Sequence, residues 1–325
     1  MFEITVIIIA KREPKIYYTL DSLRKQTKKP YEVIVVVDSP EDPVVNITKK
    51  HPINQNVNVE IIINHLHGVG GARKTGVEKT RGEIVAFIDA DCIADENWIK
   101  NLDEGFSEKD IAVQSGKVID IKSPSETPIN VEKNEKIAYL KFAPSLNFAF
   151  KKDIVDVIGN FDQEFKRGGE DLDFCIRLAK AGYKIYYNPK VKVYHLVKEY
   201  DLQRAWRDGR SRAKAFIKHK TAILKDICSI LLHVSLLLIF LTMMVTHHLK
   251  LAILAISPSL IHRLYRTWIG VKQGQPFTVS LVRSLISYIS YISFTAFLPI
   301  LTIKKLLKNK QTNKIHPRAD LFNSS

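Results

Sequence analysis

The N-terminal part of the chain is dominated by short, nearly continuous apolar runs, and this pattern restricts the fold more than any other feature. The four runs occupy residues 4–10, 32–37, 59–63 and 84–88. Runs of this kind, rich in β-branched residues, are typical of strands that are buried on both faces. Residues 16–25 have helical spacing, with Leu20 and Leu23 on one face. The alternation predicts a parallel sheet with helices on both sides.

Further segments continue the alternation. Strands are predicted at residues 111–121, 146–150, 183–187 and 191–194. A helix is predicted at residues 168–181, and Gly182 supplies a typical C-terminal stop. The polar segment 123–134 is predicted to be a loop. Residues 1–197 are therefore expected to form one α/β domain.

Acidic side chains stand where two of the predicted strands end. Asp38 follows the strand at 32–37, and Asp89 and Asp91 follow the strand at 84–88. Parallel sheets bind ligands at the carboxyl ends of their strands, so these acids are expected to share one site. Paired carboxylates suit Mg²⁺ or Mn²⁺ on phosphate oxygens, and Asp38 could accept the ring N–H of a base such as uracil. Capping of a turn or helix is the alternative for each motif alone.

Two more motifs lie at predicted helix starts. The glycine-rich stretch 68–76 would offer free backbone N–H groups to a phosphate, and Arg73 adds a cation for a phosphate or a base. This stretch lacks the Gly-Lys-Ser/Thr end of a P-loop. Glu170, Asp171 and Asp173 crowd the first turn of the later helix. They could complement the helix dipole, or one of them could take a proton from a hydroxyl nucleophile.

In their order along the chain, these motifs resemble those of family 2 glycosyltransferases of the GT-A fold. The matching elements are the strand that ends at Asp38, Gly71-Ala72-Arg73-Lys74-Thr75-Gly76, Asp89-Ala90-Asp91, Gly169-Glu170-Asp171-Leu172-Asp173 and the stretch from Arg177 to His195. The resemblance covers about residues 3–220. It implies a nucleotide-diphospho-sugar transferase domain with a Rossmann-like, mostly parallel sheet.

The resemblance also implies a role for each motif residue. The residues that would bind the nucleotide sugar are Asp38, Gly71, Arg73 and Asp89. The residues that would hold a divalent Mg²⁺ or Mn²⁺ ion are Asp91, Asp89 and His195. Asp171 would be the general base for the acceptor hydroxyl, with Glu170 beside it. One in-line displacement would then invert the anomeric carbon of the sugar.

The sequence departs from the family pattern in three places. Ile9-Ala10-Lys11-Arg12 stands where the family often has Pro-Thr-Tyr-Asn, and Val37-Asp38 stands where two acids are common. Both departures affect base recognition, so the nucleotide stays open, with UDP preferred. Gln203-Arg204-Ala205-Trp206-Arg207 differs in order from the Gln-x-x-Arg-Trp of processive members. This difference argues against a polymerising synthase.

Positive charge is concentrated around the apolar C-terminal third of the chain. The net charge is +15, with nine Lys/Arg against three Asp/Glu in residues 198–225 and six Lys/Arg without an acid in residues 304–318. Basic clusters beside apolar runs favour anionic lipid headgroups and cytoplasmic loops over nucleic acid as partners. The three cysteines have no metal-like spacing and are expected to be reduced thiols.

The apolar segments predict membrane helices. Residues 227–245 and 284–303 are long enough to cross a bilayer, whereas residues 251–261 are apolar but shorter. A buried helical bundle is the alternative. Two or three helices fit, and an even number of crossings would keep the basic tail inside. The expected organisation is a catalytic domain, a basic amphipathic connector, membrane segments and a basic cytoplasmic tail, at residues 1–197, 198–226, 227–303 and 304–325.

These observations predict an integral protein of the cell membrane whose catalytic domain faces the cytoplasm. It would move a sugar from a nucleotide sugar, preferably UDP-linked, to a lipid-linked or surface-glycan acceptor, with membrane lipids as further partners. A polyprenyl-phosphate sugar synthase is one alternative, because an ionised phosphate acceptor needs no base. A catalytically silent membrane scaffold is the other.

Overall fold

Most of the buried apolar segments form strands of one sheet, and the amphipathic segments between them form helices. The computed structural model describes residues 1–108, 110–126, 136–197 and 202–219. The strands are β1 Ile4–Ile9, β2 Glu32–Val37, β3 Asn58–Ile63, β4 Ile84–Ile88, β5 Cys92–Ala94, β6 Val113–Ile121, β7 Ala138–Leu140, β8 Asn147–Lys151 and β9 Ile185–Leu196. The helices are α1 Ile16–Arg24, α2 Pro43–Lys50, α3 Gly68–Lys79, α4 Trp98–Ser107, α5 Ile154–Ile158, α6 Glu170–Lys180 and α7 Leu202–His219, with a 3-10 turn at Pro52–Gln55.

The sheet is mixed, with the strand order β3-β2-β1-β4-β8-β6-β9-β5 and β7 paired to β9. The first four strands are parallel, as predicted. Strand β8 then runs antiparallel to both β4 and β6, and β9 is parallel to β6 but antiparallel to β5 and β7. The prediction of a mostly parallel sheet is therefore wrong for the second half, because short strands can pair in either direction. The strands predicted at 183–187 and 191–194 are one strand, β9, which continues through Pro189.

Alternate residues of the central strands pack against helices on opposite sides of the sheet. Val33 and Val35 of β2 belong to one buried cluster, together with residues of α1, α2 and α4. Ile34 and Val36 of the same strand belong to a second cluster, which includes residues of α3 and α6. This alternation follows from the two-residue period of a strand. The predicted covering of the sheet on both faces is confirmed.

The pairing register brings the carboxyl ends of the central strands to one edge. Ile9 at the end of β1 is paired with Val36 of β2, and Ile7 is paired with Phe87 of β4. The acids that follow β2 and β4 are therefore on the same edge, separated by the width of β1. Neighbouring strands lie about 5 Å apart, so the ends of β2 and β4 are about 10 Å apart.

The chain divides into two compact units, Met1–Glu199 and Tyr200–Ser325. All nine strands found among the described residues belong to the first unit. The described part of the second unit is the helix α7. Among the described residues, no helix has the length and apolar character needed to cross a bilayer. The predicted membrane segments at 227–303 and the predicted tail at 304–325 lie outside the described residues.

Candidate active site

Asp38 lies at the end of β2 in a network of polar side chains. Its Oδ1 accepts a hydrogen bond of 2.9 Å from Asn64 Nδ2, and its Oδ2 is 3.1 Å from Lys11 Nζ. Asn64 follows β3 and is fully buried, and its Oδ1 also accepts a hydrogen bond of 3.1 Å from Leu66 N. The buried amide therefore fixes one oxygen of Asp38, while the other oxygen lies beside an exposed ammonium group.

Asp89 and Asp91 lie in the tight connection between β4 and β5. Strand β5 pairs antiparallel with β9, and this register places Cys92 opposite His195. As a result, Asp91 Oδ1 is 3.7 Å from His195 Nε2. On the other side of the imidazole, His195 Nδ1 is 3.2 Å from an oxygen of Asp120 on β6. The predicted metal residues Asp91 and His195 are thus brought together by strand pairing.

The two aspartates differ in their electrostatic surroundings. Loss of solvent around Asp89 raises its pKa, an effect that Arg73 opposes and that the charge of Asp91 reinforces. Burial also acts to raise the pKa of Asp91, but the nearby positive charge of His195 holds it below the usual value. The carboxylates of Asp120 and Asp91 raise the pKa of His195 to about 9. Asp91 is therefore an anion at neutral pH, and the imidazole between the carboxylates is protonated.

The donor atoms around Asp91 fit a divalent cation. Single ligand atoms of Asp91, Cys92 and His195 lie within 4.8 Å of one another. Burial raises the pKa of the Cys92 thiol, so it stays protonated and is a poor ligand for a hard ion. Asp91 and His195, with Asp89 beside them, could therefore hold Mg²⁺ or Mn²⁺, provided that the imidazole first loses its proton.

Arg73 and Glu170 form a buried ion pair between α3 and the start of α6. Arg73 Nη1 donates to Glu170 Oε1, and Arg73 Nη2 is 3.7 Å from Asp89 Oδ1. The two side chains are only 7% and 4% exposed. Burial raises the pKa of Glu170 to about 7, and Arg73 offsets only part of that rise. Arg73 thus points at two protein carboxylates, which leaves little of it open to a nucleotide.

Asp171 is the half-buried neighbour of that pair. Its Oδ1 accepts a hydrogen bond of 2.7 Å from Leu172 N in the first turn of α6. Its charge raises the pKa of both Asp89 and Glu170, so the three carboxyl groups lie within electrostatic reach of one another. The structure therefore brings the acids of the β4–β5 connection and of α6 to one place, although about eighty residues separate them in the sequence.

The glycine-rich stretch forms the first turns of α3, but its start is already occupied by protein. The N–H of Val69 donates to Lys166 O at 3.3 Å and that of Gly70 donates to Phe165 O at 2.9 Å. The expectation that these groups are free for a phosphate is therefore wrong for both. Gly71 is buried, and a Cβ there would lie 2.8 Å from Leu66 Cβ. The predicted binding residue Gly71 thus allows close packing of α3 against the preceding loop.

Four residues of this region were not predicted as site residues from the sequence, namely Lys11, Lys15, Asn64 and Asp120. Lys15 Nζ donates to Leu196 O at 2.8 Å, and Leu196 N donates to Asp91 O at 2.9 Å. Asn64 is the one with a detectable signal, because it follows the strand at 59–63 just as Asp38 follows its own strand. The other three act through pairings that depend on the strand order.

The chain is similar in sequence to known glycosyltransferases. Residues 5–161 match the family described as Glycosyl transferase family 2. Glycosyltransferase AglE of Haloferax volcanii is 24% identical over 235 residues, which is 68% of this chain and 76% of that protein. The glucosyl-dolichyl phosphate glucuronosyltransferase of the same organism is 24% identical over 245 residues, 64% of this chain and 77% of that protein.

A solved structure supports the fold. Mannosyltransferase PcManGT from Pyrobaculum calidifontis, determined in complex with GDP-Man and Mn²⁺, superposes with a TM-score of 0.58 at 16% identity. The match covers 90% of this chain and 87% of that one. The mixed sheet described above is accordingly of the GT-A type.

Proposed function

The chain belongs to glycosyltransferase family 2, whose description residues 5–161 match, and we propose that it is a metal-dependent, inverting enzyme. It transfers a sugar from a nucleotide sugar. The observation that carries this proposal is the convergence of Asp89, Asp91 and Asp171 at one edge of the sheet. Such an arrangement would bring acids for a metal close to an acid for a proton transfer.

Metal binding and proton transfer are assigned to different residues of the site. A divalent cation held by Asp91, Asp89 and His195 would neutralise charge on the leaving nucleoside diphosphate. Asp171, at the open start of α6, accepts the proton of the acceptor hydroxyl as that oxygen attacks the anomeric carbon. The attack and the departure of the diphosphate occur on opposite faces of the sugar, so the configuration is inverted.

Glu170 supports this reaction from inside the protein. Its side chain is buried against Arg73, so it is not accessible to an acceptor. It keeps Arg73 next to Asp89 and thereby fixes the first turn of α6, on which Asp171 is carried. We therefore assign Glu170 and Arg73 to positioning of the acids, and Asp171 to the proton transfer.

We further propose a UDP-sugar donor and a lipid-linked or surface-glycan acceptor at the cytoplasmic face of the cell membrane. Support for the acceptor comes from the name of one relative, a glucosyl-dolichyl phosphate glucuronosyltransferase. The apolar and basic C-terminal third would serve no purpose for a soluble acceptor. The carboxylate of Asp38 is suited to the ring N–H of uracil.

Sugar transfer in membranes that contain the full chain tests the proposal. Asp91→Asn and Asp171→Asn should each lower the rate at least about a hundredfold, because metal binding and proton transfer are lost. Asp156→Asn, which changes an exposed acid on α5, is the control and should transfer at the wild-type rate. If Asp171→Asn stays near wild type, Asp171 is not the base, and an already ionised phosphate acceptor explains the activity better.

A further inference from the structure

His195 lies near the end of β9, and an acid lies beside each nitrogen of its ring. Nδ1 is 3.2 Å from Asp120 Oδ1, and Nε2 is 3.7 Å from Asp91 Oδ1. The side chain of His195 is 11% exposed, against 24% for Asp91 and 39% for Asp120. The imidazole is therefore enclosed between two carboxyl groups, and the acid nearer the solvent, Asp120, belongs to none of the motifs recognised in the sequence.

An irregularity in the pairing of β6 with β9 brings Asp120 opposite His195. After Gly116 the register shifts, because β9 contains three residues, 189–191, that have no counterpart in β6. Without this shift, Asp120 would lie opposite Lys192 instead of His195. Residues paired across neighbouring strands project from the same face of a sheet, so the shift puts a carboxyl group beside the imidazole. Bulges of this kind often redirect a side chain next to an active site.

Buried groups fix the shifted register. The side chain of Asn147 is fully buried, and its Nδ2 donates to Val191 O at 3.0 Å and to Lys117 O at 3.1 Å. These bonds join the extra residues of β9 to the first residue of β6 beyond the shift. A Cβ at Gly116 would overlap the carbonyl oxygen of Val191, so glycine is required where the two strands are forced together. The alignment of the two strands beyond this point is therefore set by the packed interior.

The contact with Asp120 decides which ring nitrogen of His195 is available to a cation. A carboxylate only accepts hydrogen bonds, so Nδ1 is the donor in this contact. In the neutral ring the lone pair then lies on Nε2, the nitrogen on the side of Asp91. Histidine ligands of metal ions usually have this arrangement, in which a carboxylate or carbonyl holds the N–H of one nitrogen and thereby orients the other toward the metal.

We propose that Asp120 is a positioning residue for the metal site, which holds His195 so that Nε2 and Asp91 bind one divalent cation together. This inference rests on the proposed function and extends it to a residue outside the sequence motifs. Asp120 acts through the imidazole and does not itself contact the cation. Without it, the ring is free to turn or to carry its proton on Nε2, and in either case the cation loses its nitrogen ligand.

Binding of Mn²⁺ to the purified full chain, with and without UDP, tests this inference. Calorimetry gives the affinity, and pulsed EPR detects the nitrogen nucleus of an imidazole that is bound to Mn²⁺. The wild type should show this nitrogen coupling, and His195→Gln should remove it. Asp120→Ala should weaken Mn²⁺ binding by about tenfold to a hundredfold and reduce the coupling. Asp120→Asn should restore most of both, because its amide oxygen can still accept the N–H of Nδ1.

Glu60→Ala is the matched control, because Glu60 is an exposed acid on β3, far from β6 and β9 in the order of the sheet. It should match the wild type in affinity and coupling. If Asp120→Ala lowers only the midpoint of thermal unfolding, its role is merely structural and the inference is wrong, while the proposed function stands. Binding of Mn²⁺ to the wild type without nitrogen coupling would also overturn the inference, since His195 is then not a ligand. If the wild type binds no Mn²⁺ in either condition, the proposed metal dependence itself fails.

Discussion

At the scale of single residues, the Arg73–Glu170 pair is a contact that the sequence does not predict. Arg73 Nε and Glu170 Oε2 are buried and have no hydrogen-bond partner within the described part of the chain. A buried pair of this kind costs more when it is broken than it contributes when it is intact, because the remaining charge is left without compensation. It serves to hold α3, α6 and Asp89 in place.

Removal of one partner should therefore harm the fold. Arg73→Met should lower the free energy of unfolding of the chain by about 3 kcal/mol, since the Glu170 carboxyl group then stays buried without its partner. Glu170→Leu should also be destabilising, because Arg73 then loses its buried partner, and Arg73→Met combined with Glu170→Leu should recover most of the loss. Urea unfolding of the four proteins measures the coupling. Additive effects of the single changes would contradict the pairing.

His195 gives the stability of the metal-free protein a pH dependence. Asp120 and Asp91 raise its pKa to about 9 from the usual 6.5. The folded state thus binds the proton more tightly than the unfolded state does. The stabilisation is complete below about pH 6.5 and is lost as the pH rises through about 9.

The thermal unfolding midpoint, measured in a chelator from pH 6 to about pH 10, should therefore fall through this interval. His195→Gln should flatten the curve there and lower the midpoint mainly at the acid end. The same decline in the variant would show that another group is responsible.

The acids of the site could be predicted from the sequence, whereas their partners could not. Asp38, Asp89 and Asp91 follow recognisable strands, and the geometry of a parallel sheet brings such positions together. The contacts that Arg73 makes depend on how α3 and α6 pack on the sheet. No pattern local to residues 68–76 contains that information.

At the scale of elements, the segment 162–166 fixes the start of α3. Phe165 and Lys166 accept its first N–H groups, and Gly70 lets the two backbones approach. A Cβ at Gly70 would lie 2.2 Å from Asp162 O. Close approach of backbone to backbone requires glycine here.

Gly70→Ala should therefore push the segment 162–166 away from α3. The expected result is a loss of about 2 kcal/mol or more in unfolding free energy, within the range for overpacked sites. Gly182→Asn is a suitable control, because nothing lies within 4 Å of a Cβ there and asparagine tolerates the positive φ of 86°. A wild-type midpoint of thermal unfolding in Gly70→Ala would show that the close approach is absent in solution.

The strands of the first half were predictable because each is a long, uniform apolar run. Strand β2 and strand β4 have the predicted bounds. Three-residue strands such as β5 and β7 are too short to show the two-residue period of a strand. The helices α2 and α4 were also not predicted from the sequence. The direction of β8 depends on its neighbours in the sheet, which a single short run such as 146–150 does not reveal.

At the scale of the whole molecule, membrane attachment is predicted from the sequence of the second unit. Two uncharged segments of about twenty residues and the basic clusters beside them favour spanning helices and anionic lipid. The full chain should therefore sediment with membranes and stay there in 1 M salt and at alkaline pH, because apolar insertion is insensitive to ionic strength. Release by salt alone would indicate electrostatic attachment at the surface instead.

The exposed position of Lys11, on the loop that follows β1, has a consequence for the divergence of such enzymes. Asn64 and Asp38 are built into the end of the sheet, but Lys11 supports no other part of the fold in the contacts described. A codon change at this one position would alter the charge beside Asp38 at almost no cost in stability. The surroundings of Asp38 could then vary under selection on an unchanged scaffold.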